Sequence, residues 1–263
     1  MPRKILINFA NYNFYSAQER NSISGFSIGN FHEVIQYRPK DIDRRFLQLN
    51  KDILSHKRGA GYWLWKPYFI RKTLIELQFG DYLCYSDSAS YFINPIDSLI
   101  EVCEESGQSI LPFELFFPEK KYTKRDALIL INVDRPEITE TKQRLADCIL
   151  FKKTPETIAW VEEYLHYGQD PSAITDIPNQ LGFPNYPEFI EHRHDQSIFS
   201  LLTKKYHFQA FRDPSQWGNG KEKQYPESKY LQLVHNTRRK DRRWLRTFNM
   251  LRERVETPLS RKN

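Results

Sequence analysis

The segment from Gly59 to Pro95 constrains the fold more than any other part of the chain. Pro67 occupies the favoured first turn of a helix, and Gly80 is suited to end it. The buried stripe of this helix consists of Ile70, Leu74 and Leu77. The strand Asp81–Ser86 follows at once and is mostly apolar, as a strand covered on both faces must be. This arrangement predicts an open α/β sheet with Asp87 at a strand end, where such sheets bind ligands.

Strand and helix patterns alternate along the rest of the chain, which predicts an α/β sandwich. The other predicted strands are Lys4–Ala10, Ser109–Phe117, Ala146–Lys152 and Tyr230–Val234. The other predicted helices are Asp41–His56, Ile96–Ser106, Thr154–Tyr167 and one beginning near Asp195. Residues 11–39 are polar and rich in turn formers, so we predict a loop there. No linker interrupts the pattern, so we expect a single domain over residues 1–236 and a basic tail over 237–263.

The charge and the cysteine content narrow the class of protein. The 263 residues carry a formal net charge of +6, which favours an acidic ligand such as a nucleotide diphosphate, a nucleic acid or an anionic lipid. Three widely spaced cysteines without a CxxC pair argue against a disulfide framework or a zinc ribbon. The N-terminus does not resemble a signal peptide and no apolar run is long enough to span a membrane. We therefore expect a cytoplasmic protein, with peripheral attachment to the inner membrane face as one option.

Two acidic positions are candidate site residues, and each has a purely structural alternative. Asp87 is placed to bind a metal ion or a sugar hydroxyl, but aspartates after strands often bond to their own turn. Asp195 lies in the sequence His192-Arg193-His194-Asp195-Gln196. It is suited to be a catalytic or sugar-binding carboxylate, with the Gln196 amide beside it, and equally to be a helix N-cap. The two histidines lack the further ligands that a zinc site needs.

Basic and imidazole side chains supply further candidates. Lys66 precedes a helix N-terminus, which itself attracts anions. Lys124 belongs to a basic loop that either neutralises a diphosphate or is simply solvated. His235 follows a predicted strand and is a candidate metal or phosphate ligand. The chain has no GxGxxG, GxxxxGK[ST] or GxSxG segment, which disfavours nucleotide-binding loops and serine-hydrolase elbows of those kinds.

Taken together, these segments resemble a glycosyltransferase of the GT-A type from the bacterial group that builds surface polysaccharides. The resemblance covers residues 4–236. It is carried by GYWLWKPYFI, GDYLCYSDSAS, KYTKRDAL, ILFKKTPETIAWVEEYL, EHRHDQSIFSLL and FRDPSQWGN in that order. The resemblance implies a Rossmann-like GT-A sandwich that binds a nucleotide-sugar donor and a glycan or lipid-linked acceptor.

The resemblance also implies roles for individual residues. The end of the first strand, Asn8, Phe9 and Ala10, would contact the nucleotide. Lys66, Asp87, Ser88 and Lys124 would contact the rest of the donor. Asp195 and Gln196 would be the catalytic pair, facing the donor sugar and the acceptor. Asp87 and His235 would bind a divalent cation, Mn²⁺ or Mg²⁺.

One departure from the family pattern leaves the metal open. The family motif is Asp-x-Asp, whereas this chain reads Asp87-Ser88-Ala89 with a single carboxylate. Hard cations prefer several oxygen ligands. Transfer with a metal and transfer in which lysines balance the leaving-group charge are therefore both open. The sequence also leaves inversion and retention at the anomeric carbon undecided.

The tail and the overall function have alternatives as well. Trp244, Phe248, Leu251 and Val255 recur at helical spacing among many arginines, the pattern of a helix drawn to anionic lipid or of one packed on its own domain. A non-catalytic sugar- or nucleotide-binding module is the main alternative function. A nucleic-acid-binding protein is a weaker one, because no recognised nucleic-acid module is present, and we expect no nucleic-acid partner.

Overall fold

The computed structural model describes residues 1–237 and 239–256 of the chain. Its strands are β1 (Lys4–Phe9), β2 (Glu33–Tyr37), β3 (Tyr82–Ser86), β4 (Ser90–Phe92), β5 (Ile110–Pro118), β6 (Lys142–Lys152) and β7 (Val234–Asn236). Its longer helices are α1 (Tyr15–Ser27), α5 (Trp65–Glu76), α6 (Asp97–Ser106), α10 (Pro155–Gly168), α12 (His194–Lys205) and α13 (Arg243–Glu256). Its shorter helical segments are α2 (Arg44–Leu49), α3 (Lys51–Leu54), α4 (Gly59–Tyr62), α7 (Glu119–Tyr122), α8 (Arg125–Leu130), α9 (Pro136–Thr139) and α11 (Pro171–Ile174).

The central element is a five-stranded mixed sheet in the order β2–β1–β3–β6–β5. Strand β1 pairs in parallel with both β2 and β3, while β6 runs antiparallel to β3 and to β5. The α/β prediction is confirmed. The chain moves from β1 to β2 on one side and returns to β3 on the other. This reversal opens a crevice at the carboxyl ends of β1 and β3, the usual ligand position in open α/β sheets.

Each face of the sheet carries its own hydrophobic core because strand side chains alternate in direction. Ile5 and Ile7 of β1 pack in one core with apolar residues of α5, α10 and α12. Leu6 points the other way, into a core shared with α6, β4 and β7. Burying each such aliphatic side chain contributes about 1.5–3 kcal/mol. The sheet is therefore held rigid from both sides, and its edge is a firm support for a site.

The predicted loop over residues 11–39 is wrong, since this part of the chain forms α1 and β2. The buried face of α1 is polar or small rather than apolar, so it shows no hydrophobic period. Its buried residues are Ala17, Gln18, Asn21, Ser22, Ser24 and Gly25. Gly25 allows close packing, because a Cβ there would lie 2.3 Å from Leu6 Cδ2.

Two other predictions need adjustment. The helix predicted over Asp41–His56 is divided at Asn50 into α2 and α3. Its cap is Asp43 rather than Asp41, because the Asp43 carboxylate accepts hydrogen bonds from the backbone of Arg45 and Phe46. The late strand is shifted to Val234–Asn236, where it pairs antiparallel with β4 in a small second sheet.

The segment after β7 packs against the connection between β1 and α1. Asp241 accepts a hydrogen bond from Ser16 N at 2.9 Å, and Glu253 of α13 accepts from Tyr12 N at 2.7 Å and Tyr15 OH at 2.8 Å. The side chains of Trp244, Phe248 and Val255, on which the membrane prediction rests, lie outside the described part. Across residues 1–237 and 239–256, every helix is too short or too polar to cross a bilayer.

Candidate active site

A cleft with two adjoining lobes opens at the carboxyl ends of β1 and β3. The larger lobe has a volume of about 590 Å³ and the smaller about 300 Å³. Residues that line only the larger lobe include Phe9, Ala10, Lys57, Ser88 and Lys240. Residues that line only the smaller lobe include Lys66, Phe117, Glu191, His192, Arg193 and Asp195. Both lobes share Arg58, Trp63, Asp87, Asp147 and Gln196, which therefore mark the junction.

A buried ion pair stands on the wall of the smaller lobe. Lys66 Nζ lies 2.6 Å from Asp195 Oδ2 and 3.8 Å from Asp87 Oδ1, and it donates to the Ala146 carbonyl at 2.8 Å. Lys66 is 3% exposed and Asp195 4% exposed. Asp195 Oδ2 has no well-aligned hydrogen-bond donor among residues 1–237 and 239–256, so its contact with Lys66 is mainly one of charge. An oxygen held in this way keeps a lone pair for a ligand.

The environment of Asp195 tunes its protonation. Burial raises the pKa of its carboxyl to about 6, although the Lys66 ammonium opposes the shift. The carboxylate is therefore ionised at neutral pH and remains basic enough to take a proton. The predicted alternative of a helix cap is wrong, because the N-cap position of α12 is Arg193 and Asp195 lies inside the first turn.

A second carboxylate accompanies Asp87 at the junction. Asp87 follows β3 and accepts a hydrogen bond from the buried Tyr85 hydroxyl at 2.5 Å. The Asp87 amide donates to the carbonyl of Asp147 on β6 at 2.7 Å. The Asp147 carboxylate accepts from Asn236 Nδ2 at 2.9 Å, which connects it to β7. The junction therefore holds two aspartates from adjacent antiparallel strands in place of two from one Asp-x-Asp segment.

A left-handed turn also lines the cleft. Five consecutive residues, from Gly59 to Trp63, have positive φ values of 57°, 52°, 97°, 51° and 60°. Non-glycine residues in this region each cost about 1–3 kcal/mol and concentrate at functional sites. Gly59 and Gly61 are required sterically as well, because a Cβ would lie 2.2 Å from the Trp63 ring and 2.7 Å from Leu54 Cα respectively.

The turn carries Trp63 against a histidine of the opposite segment. The Trp63 and His194 rings stack with centroids 5.4 Å apart and an interplanar angle of 19°. His194 Nδ1 contacts the Ile174 carbonyl at 2.8 Å, and its Nε2 accepts a hydrogen bond from Arg58 Nε at 2.8 Å. Burial lowers the pKa of His194, so the ring is neutral and donates from Nδ1.

His192, two residues earlier, also uses both of its ring nitrogens in hydrogen bonds. Its Nε2 contacts the Ala173 carbonyl at 2.8 Å and its Nδ1 accepts from Lys124 N at 3.2 Å. Burial holds the pKa of His192 well below its usual value. Both rings serve the packing of this wall, and neither has a ring nitrogen left for a metal ion.

The structure brings most of the predicted site residues to one cleft. Phe9, Ala10 and Ser88 line the larger lobe, and Ser88 Oγ donates to the Phe9 carbonyl at 2.6 Å. The other four predicted residues that line the cleft are Lys66, Asp87, Asp195 and Gln196. Gln196 Nε2 donates to Gln143 Oε1 at 2.8 Å, which fixes the amide at the junction.

Three predicted site residues are placed elsewhere. Asn8 is buried in a polar network, donating to Asn21 at 2.7 Å and Ser22 at 2.9 Å. Lys124 Nζ is turned inward and donates to the Ile177 carbonyl at 2.8 Å. His235 lies beside Tyr91, with ring centroids 5.3 Å apart, while its neighbour Asn236 lines the larger lobe. None of the three lines either lobe.

Several lining residues carried no clear sequence signal. Asp147 falls inside a predicted strand, yet the beginning of an antiparallel strand lies at the same edge as the ends of the parallel ones. Lys57 and Arg58 enter through the left-handed turn, for which the glycines of Gly59-Ala60-Gly61 were the available sign. Lys240 enters through the packing of the tail, which local sequence does not indicate.

No protein-family model and no curated protein matches the sequence. Among solved structures, the chain is similar to apo mouse xyloside xylosyltransferase 1, at 10% identity and a TM-score of 0.44, over 90% of this chain and 97% of that one. It is similar to apo WbbM, a bifunctional glycosyltransferase, at 10% identity and 0.49, over 98% of this chain and 50% of that one.

A third similar structure is a glycosyltransferase involved in glycosylation of the major capsid of PBCV-1. The identity is 10% and the TM-score 0.44, over 97% of this chain and 100% of that one. TM-scores below 0.5 reflect only an approximate similarity in the course of the backbone. The functional proposal therefore depends on the side chains of the cleft.

Proposed function

We propose that the protein is a GT-A-type glycosyltransferase that moves a sugar from a nucleotide-diphosphate donor to a glycan or lipid-linked saccharide acceptor. The observation that carries this proposal is the two-lobed cleft at the reversal of the sheet. Asp87 and Asp147 stand where the lobes meet, and the Lys66–Asp195 pair stands in the smaller lobe. A transfer reaction needs two adjoining substrate sites with charged groups between them.

The larger lobe suits the nucleotide and its diphosphate. Phe9 and Ala10 at the end of β1 offer an apolar surface for a base. Lys57 and Lys240 both line the lobe, and neither has an ion-pair partner within residues 1–237 and 239–256. Two unpaired ammonium groups can balance the charge that a departing diphosphate develops. They take the role that the sequence assigned to Lys124.

A divalent cation, Mn²⁺ or Mg²⁺, fits the junction in part. Asp87 and Asp147 would hold it, because carboxylate oxygens are the ligands such ions prefer. Within residues 1–237 and 239–256 no three His, Cys, Asp or Glu side chains converge as a metal site. The ion would therefore depend on the diphosphate and water for its other ligands. When bound, it would add positive charge next to the leaving group.

The smaller lobe suits the acceptor and the chemistry of transfer. An acceptor hydroxyl in this lobe meets the ionised Asp195 carboxylate, which Lys66 holds in place. As a general base Asp195 takes the hydroxyl proton, and the product is inverted. As a counter-charge, with the Gln196 carbonyl, it stabilises the sugar cation and the product is retained. The anomeric configuration of the product, measured by NMR, separates these two roles.

A binding experiment tests the donor site directly. UDP, GDP and CMP, and their sugar conjugates, are screened by thermal shift with and without Mn²⁺, since a ligand of the native state raises apparent stability. We expect one nucleotide class to raise the melting temperature. Lys57→Ala and Lys240→Ala should each weaken its binding about tenfold, while the exposed Lys223→Ala serves as the control. Absence of any nucleotide shift would contradict the proposal.

A non-catalytic sugar- or nucleotide-binding module is the second candidate. The observation in its favour is the closeness of Lys66 and Asp195, because a buried ion pair at 2.6 Å can also be purely structural. Turnover of the nucleotide-sugar that binds best decides between the two candidates. Attachment of the tail to an anionic membrane remains a further proposal, tested by co-sedimentation with liposomes.

A further inference from the structure

The cations of the smaller lobe all have partners, unlike the two lysines of the larger lobe. Lys66 is paired with Asp195 and lies near Asp87. Arg58 contacts His194 at 2.8 Å and lies 3.5 Å from Asp176. Each of these cations therefore gains little from an added anion, since its charge is already balanced.

Arg193 is the third cation of the lobe, and it is enclosed by aromatic rings. Its guanidinium lies 3.9 Å from the Phe117 ring centroid and 4.1 Å from that of Tyr122. It is also 3.5 Å from the Glu191 carboxylate. Cation–π contacts and an ion pair together satisfy this group. Its planar face is thereby withheld from an incoming phosphate or carboxylate.

The charges of the lobe offer no surplus of cations. The charged residues that line only this lobe are Lys66, Arg193, Glu191 and Asp195, which sum to zero, and the two histidines are neutral. An anionic ligand would find no unbalanced positive charge here. Neutral hydroxyl groups, in contrast, can donate to carboxylates and accept from guanidinium and amide groups. The lobe has the chemistry of a site for a neutral polyhydroxylated molecule.

Trp63 supplies a flat apolar surface beside these polar groups. The ring is half-buried and lies at the junction of the lobes, with one side stacked on His194. The left-handed turn fixes its backbone, and Gly59 packs against the six-membered ring, where a Cβ would lie 2.2 Å from Cε3. The ring still lines both lobes, and a ring held in advance loses little entropy when a ligand packs against it.

We infer that the smaller lobe binds the terminal sugar of an uncharged saccharide acceptor, with Trp63 and Phe117 as its apolar contacts. This inference rests on the proposed glycosyl transfer and adds the class of acceptor to it. Anionic parts of an acceptor, such as the diphosphate of a lipid carrier, would stay outside the lobe. The chain thus keeps the diphosphate of the donor and the sugar of the acceptor in separate electrostatic environments.

The test uses the full, fluorescently labelled chain on an array of immobilised oligosaccharides, with and without UDP or whichever nucleoside diphosphate shifts its melting temperature. The array carries termini of neutral hexoses and N-acetylhexosamines beside uronic-acid and sialic-acid termini. We expect binding to a subset of the neutral termini. Trp63→Ala and Phe117→Ala should each weaken it about tenfold. Trp63→Phe should recover most of the loss, and the exposed Trp217→Ala, outside both lobes, should bind normally.

The outcomes separate the inference from the proposed function. Binding only to acidic termini, no glycan binding at all, or unchanged binding by both Trp63→Ala and Phe117→Ala overturns the inference. The Phe117→Ala variant controls for a folding defect. Because Phe117 lines only the smaller lobe, nucleotide should raise the melting temperature of this variant as it does that of the wild type. If no nucleotide binds while neutral glycans bind through Trp63, the transferase proposal fails and the saccharide site stands.

Discussion

Replacing Gly61 by alanine tests whether the left-handed turn is a strained support of the cleft. Gly61 has φ +97°, where an L-residue pays about 1–2 kcal/mol, offset by about 0.4–1 kcal/mol from the stiffer unfolded chain. The new Cβ would also lie 2.7 Å from Leu54 Cα, which is backbone and yields only by a local shift. Such overpacking costs about 1–3 kcal/mol. We expect a total loss of about 2–4 kcal/mol in the free energy of unfolding.

Gly80→Ala is the matched control, because Gly80 has a similar φ of +91° with nothing within 4 Å of its Cβ position. It should lose only about 1 kcal/mol. Urea denaturation measures both variants, and thermal melting should show Gly61→Ala falling by about 4–16 °C, at 2–4 °C per kcal/mol for a chain of this size. Equal losses for the two variants would refute the steric argument. A Gly61→Ala protein as stable as the wild type would refute the strained turn altogether.

Four further predictions concern two side chains, Asp195 and Lys124. Asp195→Asn should lower turnover about 10²- to 10⁴-fold with nucleotide affinity unchanged, since Asp195 lines only the smaller lobe; a change in affinity alone would contradict this. In the wild type, kcat/KM should rise with pH up to about 6, where Asp195 loses its proton, and the limb should vanish in Asp195→Asn. Because that pKa is raised above its unfolded value, the stability of wild type relative to Asp195→Asn should fall as pH rises from about 4 to 6, which pH-dependent urea melts would show. Lys124→Met should cost about 1–3 kcal/mol, because it removes the donor to the Ile177 carbonyl and the cation 3.9 Å from the buried Asp126 carboxylate. Nucleoside diphosphate affinity, measured by calorimetry, should not change, and weakened binding would support the predicted contact of Lys124 with the donor.

Much of the sheet could be predicted because its strands are uniformly buried. All five residues of β3 are buried, as are all six of β1, and such runs are visible in sequence. Helix α10 was equally visible, with Thr154 accepting a hydrogen bond from Thr157 N as its cap. Helix α1 was not predicted because its buried face consists of amides, hydroxyls, alanine and glycine. Periodicity detects apolar faces, and a polar buried face leaves no such trace.

The residues that line the cleft also fall into two groups, those predictable from local sequence and those placed by non-local strand pairing. The position of Asp87 in the cleft could be predicted because it ends a parallel strand, and that of Asp195 because its neighbours form a polar cluster before a helix. Asp147 was missed because its position depends on the register of β3 with β6, a non-local pairing. The same holds for Asn236, whose neighbour His235 has the more reactive side chain but faces away from the cleft. Which of two adjacent strand residues faces a site is a question of register, and register is set by pairing partners far along the chain.

The packing of residues 240–253 against the connection after β1 has a consequence for how the protein is made. The hydrogen bonds from Tyr12 and Ser16 reach acceptors 241 and 225 residues later in the chain. Such long loops close late in folding, because their entropy is lost before the contacts can compensate. During synthesis the sheet can form while Lys240 is still inside the ribosome. The larger lobe is then complete only at the last step, so a chain that stops just before Lys240 would form the sheet and still lack part of the lining of this lobe.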